Sequence, residues 1–257
     1  MRNEDIQELK ILPTPLITII TATYNAEKFL PATLDSICKL KYKNIEWIIV
    51  DGASTDHTID IIKSRPDIIS KWISEPDEGI YDAWNKGISI SSGDWIAFIG
   101  AGDCYSENAL NDYLDLLKKV DANVNFISSK VNFVDLNGFT KKTWGEKLNK
   151  KRFKEFMTIA HVGALHHKSL FKKNEGFSLK YSTASDYNFF LSNIDDIKAA
   201  FLNKITATML IGGSSDSYIS LVEKYKIQRK YFSLYHCVFE FLIAFSKKAL
   251  RKLIKGF

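Results

Sequence analysis

The sequence predicts an α/β domain of the doubly wound type, a mostly parallel sheet with helices on both faces, followed by a C-terminal amphipathic helical tail. Three observations carry this reading. Short β-branched apolar runs alternate with helical-period segments at least three times before residue 120. Polar residues cluster where those apolar runs end. The segment from Glu223 to Phe257 breaks in charge, with nine Lys/Arg against two Glu.

Residues 16–21, LITIIT, follow Pro13 and Pro15 and read as a buried strand. Leu30, Leu34, Ile37 and Leu40 then fall at helical spacing. IEWIIV at 45–50 is a second buried strand, and Ser54, Thr55 or Asp56 is placed to cap the helix TIDIIKS. KWIS at 71–74 precedes a helix in EGIYDAWNKGISIS, and WIAFIG at 95–100 precedes one in ENALNDYLDLLKKV. Residues 121–157 are less regular. The runs VNFIS and VNFVD, with an Asn137–Gly138 turn, suggest antiparallel strands or a hairpin. HVGALHHKSLF, a helix around SDYNFFLSNI and a strand ATMLI complete the body, and the adjacent His166 and His167 point to opposite sides of a strand. Of the five tryptophans, Trp47, Trp72 and Trp95 are expected in the core; Trp84 lies in a helix, and Trp144 lies in an irregular stretch where it could stack on a ligand. The expected division is a main domain over 1–222, with an alternating half at about 15–120 and a less regular half at about 121–222, and a tail over 223–257.

Composition narrows the function. The 257 residues are 46% hydrophobic and 25% charged, which excludes wholesale disorder. The net charge of +5 belongs to the tail, because the remaining chain holds 26 basic against 28 acidic residues. Such a body makes a poor nucleic-acid binder. Cys38, Cys104 and Cys237 form no CxxC pair and are expected as reduced thiols. The polar start MRNEDIQELK and the lack of a long apolar run predict a cytoplasmic protein. In the tail, Leu250, Leu253, Ile254 and Phe257 repeat at helical spacing among Lys247, Lys248, Arg251, Lys252 and Lys255. That pattern predicts peripheral attachment to a membrane surface, or docking on the domain or a second subunit.

In doubly wound sheets, ligands bind beyond the carboxyl ends of the strands. Neither GxGxxG nor GxxxxGK[ST] is present there, which argues against dinucleotide oxidoreductases and P-loop NTPases. Aspartates stand at the strand ends instead: Asp51 and Asp103. A carboxylate so placed can accept from a base N–H or ligate a hard cation beside a diphosphate.

TATYNAEKFL, VDGASTDHT, EPDEGIYDAWNKG, GDWIAFIGAGD and ASDYNFFL occur in one order across roughly residues 15–214. The set resembles glycosyltransferase family 2, inverting nucleotide-sugar transferases of GT-A-type fold. WISEPDEGIYDAWNKGI looks like the bacterial polysaccharide and lipopolysaccharide branch. The resemblance implies a nucleotide-sugar donor, most simply UDP-linked, a glycan or lipid-linked acceptor, and a divalent cation, Mn²⁺ or Mg²⁺. It places Thr21 and Tyr24 beside the nucleoside, Asp51 on the base, and Gly79, Asp82, Asn85 and Lys86 in the donor loop and helix. His161 is implied at the diphosphate or acceptor, Asp103 at the metal, and Asp186 as the base that takes the acceptor proton. Bland alternatives stand beside these: helix caps for Asp51 and Asp186, a solvated helix face for Lys86, a structural His161. Gly212-Gly213-Ser214-Ser215 resembles the family's glycine turn, or is a plain loop. One departure is plain, because the family's usual acid before Asp103 is Gly102 here. It motivates an alternative, a non-catalytic donor- or partner-binding homologue. A nucleotidyltransferase is disfavoured, since TATYNAEK is neither basic nor Gly-rich.

Overall fold

A computed structural model describes residues 14–172, 176–212 and 217–255. Gly213, Ser214, Ser215 and Phe257 lie outside the described residues.

The chain runs β1 (Ile17–Thr23), α1 (Leu30–Cys38), β2 (Ile45–Asp51), α2 (Thr58–Lys63), β3 (Lys71–Ser74), α3 (Ile80–Ile90) and β4 (Trp95–Phe98). A two-residue β5 (Cys104–Tyr105), α4 (Ala109–Leu117), β6 (Phe126–Val134), β7 (Thr140–Trp144), α5 (Lys150–Glu155) and β8 (Ala164–His167) follow. The last elements are α6 (Ser185–Ser192), β9 (Ala199–Leu210), α7 (Tyr218–Gln228) and α8 (Leu234–Lys255).

One sheet carries the order β3-β2-β1-β4-β8-β6-β9-β5, with β7 paired to β6. The first four strands are parallel, as the strand–helix alternation predicts. Beyond β4 the sheet is mixed: β8 is antiparallel to both β4 and β6, whereas β6 and β9 are parallel. The runs VNFIS and VNFVD are not two strands but parts of the single strand β6, whose hairpin partner β7 follows the Asn137–Gly138 turn. ATMLI belongs to the 12-residue β9.

Strand residues alternate between two cores, as a sheet covered on both faces requires. Ile17, Ile19, Trp47, Trp95 and Ala97 pack with α1 and α4 through Leu30, Leu34, Leu110 and Tyr113. Ile20, Ile96, Phe98 and Phe126 face the other way, onto an aromatic core that includes Trp84 of α3 and Phe189 and Phe190 of α6. His166 is buried and His167 is partly exposed, on opposite sides of β8. Trp72 corrects an expectation. It lies on the edge strand β3 and is 41% exposed, because β3 has a neighbour on one side only.

Glu46 fastens the edge of the sheet where β2 begins. Its carboxylate accepts from Thr18 Oγ1 of β1, Lys71 Nζ of β3 and the amide of Ser92, each at 2.7 Å. All three cysteines are free thiols. The boundary expected at residue 222 falls inside α7, so the tail starts as part of the body. α8 is one unbroken helix of 22 residues. Among the described residues, no helix is long and apolar enough to cross a membrane.

Candidate active site

The C-terminal ends of β1, β2 and β3 meet at Asp51. Asp51 Oδ1 accepts from Thr23 Oγ1 at 2.9 Å and from Ser54 Oγ; Oδ2 accepts from the Ser54 amide and Ser74 Oγ, both at 2.8 Å. With four donors the carboxylate is satisfied inside the protein. It joins three strand ends and caps no helix. α2 takes His57 at its N-cap position with no side-chain cap bond, whereas Asp56, one residue before it, accepts the Thr58 amide at 3.0 Å. Thr21 is likewise enclosed, its hydroxyl accepting Trp47 Nε1–H at 3.0 Å. Tyr24 stands outward at 67% exposure, so at this edge it is the side chain open to a ligand.

Helix α3 starts at Gly79, whose φ of 110° is a left-handed backbone that glycine adopts without strain. Asp82 accepts the Glu78 amide at 3.1 Å and pairs with Lys86 at 3.4 Å. Lys86 also binds Glu75 and the Pro76 carbonyl, both at 2.9 Å, so it pins the 75–76 loop. Asn85 clamps Phe177 through both backbone groups, donating at 2.8 Å and accepting at 2.7 Å.

The opposite face of α3 was not singled out by motif, yet it lines a wide cleft. Tyr81 and Trp84 share that wall with Phe98, Gly100, Asp103, His161, Thr183 and Asp186, around a cavity of about 750 Å³. The signal that could have found Tyr81 is its i, i+3 spacing to Trp84, an apolar stripe opposite Asp82 and Lys86. Trp144 and Lys142 of β7 and Lys224 of α7 border the same cleft. Lys142 Nζ lies 5.5 Å from the Trp144 ring centre. The cleft therefore gathers Asp103, Asp186 and His161, whereas Thr21, Tyr24, Asp51, Gly79, Asp82, Asn85 and Lys86 lie outside its walls.

Asp103 follows β4 in a turn held by Thr33 of α1, whose hydroxyl accepts the Gly102 amide and donates to the Asp103 carbonyl, each at 2.8 Å. Its carboxyl accepts the Leu210 amide from β9 at 3.0 Å. Burial pushes the Asp103 carboxyl up to about 7. Among the described residues it forms no ion pair, and no three His, Cys, Asp or Glu side chains cluster to hold a metal. One buried, cation-free carboxylate fits a hard divalent ion that takes its other oxygens from a diphosphate and water. Gly102 explains itself by geometry. Its φ is +95°, and a Cβ there would stand 2.7 Å from Leu210 Cδ1. A side-chain acid would be strained at this φ and would have to displace the end of Leu210.

Asp186 lies in the first turn of α6 without being its cap residue. It accepts from Tyr81 Oη at 3.0 Å and from the Tyr187 amide at 2.8 Å. Burial raises its pKa against those two donors. His161 is boxed by aromatics, stacked on Phe98 at 5.2 Å with Trp84 and His166 each 5.0 Å away. Burial pushes its pKa down to about 3, so the ring is neutral and offers a diphosphate no charge. Neither ring nitrogen has a partner among the described residues.

A sequence model of the family described as Glycosyl transferase family 2 matches residues 18–174. This chain belongs to glycosyltransferase family 2. A Mycobacterium bovis PGL/p-HBAD biosynthesis glycosyltransferase is 31% identical over 186 residues, covering 69% of each chain. An uncharacterized glycosyltransferase of Haemophilus influenzae is 25% identical, over 70% of this chain and 63% of its own. Among solved structures, Staphylococcus aureus TarS 1–349 with UDP-GlcNAc superposes with a TM-score of 0.67 at 18% identity, over 82% of this chain and 64% of that one. The mannosyltransferase PcManGT of Pyrobaculum calidifontis, solved with GDP-Man and Mn²⁺, gives 0.64 at 16% identity, over 85% and 65%. This glycosyltransferase thus has the GT-A-type fold. It spans less than two thirds of those two solved chains.

Proposed function

We propose that this family 2 enzyme moves a sugar, with inversion, from a nucleotide-diphosphate donor, UDP-linked, to a hydroxyl of a surface glycan or lipid-linked acceptor. The observation that carries the reading is that Asp103 and Asp186 line one cleft although they lie 83 positions apart and on different elements. The UDP-GlcNAc bound by TarS and the GDP-Man and Mn²⁺ bound by PcManGT support the donor and metal classes.

Asp186 is the cleft carboxylate oriented by a tyrosine hydroxyl of the facing wall as well as by a backbone amide. In the reading proposed, it takes the proton of the attacking acceptor hydroxyl. A single base suffices for direct displacement, which inverts the anomeric centre without a covalent intermediate. Asp103 would hold the divalent cation, which supplies positive charge for the leaving diphosphate. Tyr24 gives the nucleoside a face to pack on, backed by the strand ends that Asp51 joins. Trp144 and Lys142 give the acceptor sugar an aromatic plane and a cation. His161 serves the wall as a neutral ring. Asp186→Asn is expected to keep nucleotide affinity within about twofold and to slow transfer by about 10²–10⁴-fold. Transfer at the wild-type rate would refute the assignment.

The acceptor's source follows from α8. Tyr235, Val238, Phe239 and Leu242 are exposed along one side of the helix, Tyr235 at 88% and Phe239 at 63%. We read this face as meeting a bilayer with anionic headgroups. The excess of nine cations over two Glu in 223–257 favours an anionic surface over a second copy carrying the same charge.

A further inference from the structure

We propose that Glu223 of α7 is a positioning residue for the transfer reaction, acting on Asp186 through the Ser182–Thr183 segment. The inference rests on the reading of Asp186 as the base, and goes beyond it by assigning a reaction role to an element outside the family-matched span of residues 18–174.

Glu223 makes a four-donor clasp on two consecutive residues. Oε1 accepts the Ser182 amide at 2.8 Å and the Ser182 hydroxyl at 3.0 Å. Oε2 accepts the Thr183 amide and hydroxyl, both at 2.8 Å. The carboxylate is buried, and burial alone would raise its pKa; the four hydrogen bonds win and hold it below the usual range. It therefore stays ionised across the neutral range, when its bonds to these donors are strongest.

The clasped residues lead directly into the active site. Thr183 lines the cleft, and three positions later stands Asp186. Between them, the Ser185 hydroxyl donates to the Ser178 carbonyl at 2.7 Å. Tyr81 of α3 holds the Asp186 carboxyl from the other wall. The Asp186 side chain is thus aimed by α3, whereas its backbone is set by α7. An error of about 1 Å in such a group can cost about 100-fold in rate. α7 is braced in turn by α8, with Tyr218 against Phe245 at 5.7 Å and Tyr225 against Phe241 at 5.5 Å.

The test uses the full chain with Mn²⁺, UDP as binding probe, and nucleotide release from UDP-GlcNAc and GDP-mannose as turnover probes. Glu223→Gln keeps the shape of the side chain but sets an amide NH₂ against two donors. Expected are a UDP Kd within twofold of wild type, at least tenfold faster hydrogen exchange at the amides of residues 184–188, and kcat lowered about 10- to 100-fold. That kcat loss should vanish in an Asp186→Asn background, because the clasp acts only through Asp186. Unchanged protection at the Tyr187 amide, or an equal loss in the Asp186→Asn background, overturns the proposal. If Asp186→Asn alone turns over like wild type, the base reading fails first and is seen to fail separately. Should Glu223→Gln not fold, Ser182→Ala removes one clasp bond and must show the same split, with about threefold lower kcat and unchanged UDP affinity; full kcat there also overturns it.

Discussion

Asp103 and Asp186 differ in what surrounds them, and that difference is the basis for proposing different work for each. Both are buried acids with raised pKa values. Asp186 has a tyrosine hydroxyl and an amide on its carboxyl, groups that favour its ionised form. Asp103 has only backbone amides, from Leu210 and Gly100, and no ion pair among the described residues. If Asp186 is the base, as proposed, its raised pKa is expected to give turnover an acid limb, the rate rising with pH as the carboxyl loses its proton, and pH–rate profiles of Asp186→Asn should lack that limb. Gly102 belongs to the same scale. Its motif departure invites a degenerate reading, but its backbone at φ +95° is one that glycine adopts without the strain any side chain would add. No single sequence displays a φ angle, so a missing acid and a required glycine look alike there. His161 is similar, since nothing local in HVGALHH reveals that Trp84, Phe98 and His166 close around the ring.

Strands and helices with strong periodicity are legible because burial on two faces writes itself into adjacent residues. ITIITAT and IEWIIVD are mostly β-branched or apolar, and the structure places them as the paired strands β1 and β2. Trp72 reads as core by type and is exposed by position, because edge placement is decided by topology. VNFIS and VNFVD read as two strands because Lys130 interrupts them, although β6 continues through it. Tyr81 and Glu223 escape motif reading for another reason. Their partners, Asp186 and Ser182, lie 105 and 41 residues away. Glu46 shows how a polar residue can hold an element. Burial alone would raise its carboxyl, but Lys71, the Ser92 amide and hydroxyl and Thr18 bring it down to about 2. A depressed carboxylate stabilises the fold above its unfolded pKa near 4.5 and loses that contribution as pH falls toward about 2. Glu46→Gln is expected to destabilise by about 1–3 kcal/mol at pH 7, with the deficit shrinking below pH 4 in urea melts. An equal deficit at both pH values would remove Glu46's charge from the account.

At the scale of the molecule, one cleft joins a parallel half ending at Asp103 to a mixed half carrying Asp186, with α7 and α8 packed behind the second. The basic, apolar α8 would deliver that cleft to a bilayer. Phe239→Asp with Leu242→Asp should abolish flotation with vesicles containing phosphatidylglycerol while leaving nucleotide affinity unchanged; retained flotation, or a concentration-dependent dimer that those changes dissolve, would contradict the membrane reading. The central claim is that the cleft binds a nucleotide diphosphate together with a divalent cation on Asp103. It is tested most directly by calorimetric titration of UDP and GDP, with and without Mn²⁺, into the wild-type chain and Asp103→Asn. The account predicts tighter binding of one nucleotide when Mn²⁺ is present, by tenfold or more, and loss of that increment in Asp103→Asn with the metal-free affinity kept. An Mn²⁺ increment of equal size in both proteins, or no nucleotide binding at all, would contradict it.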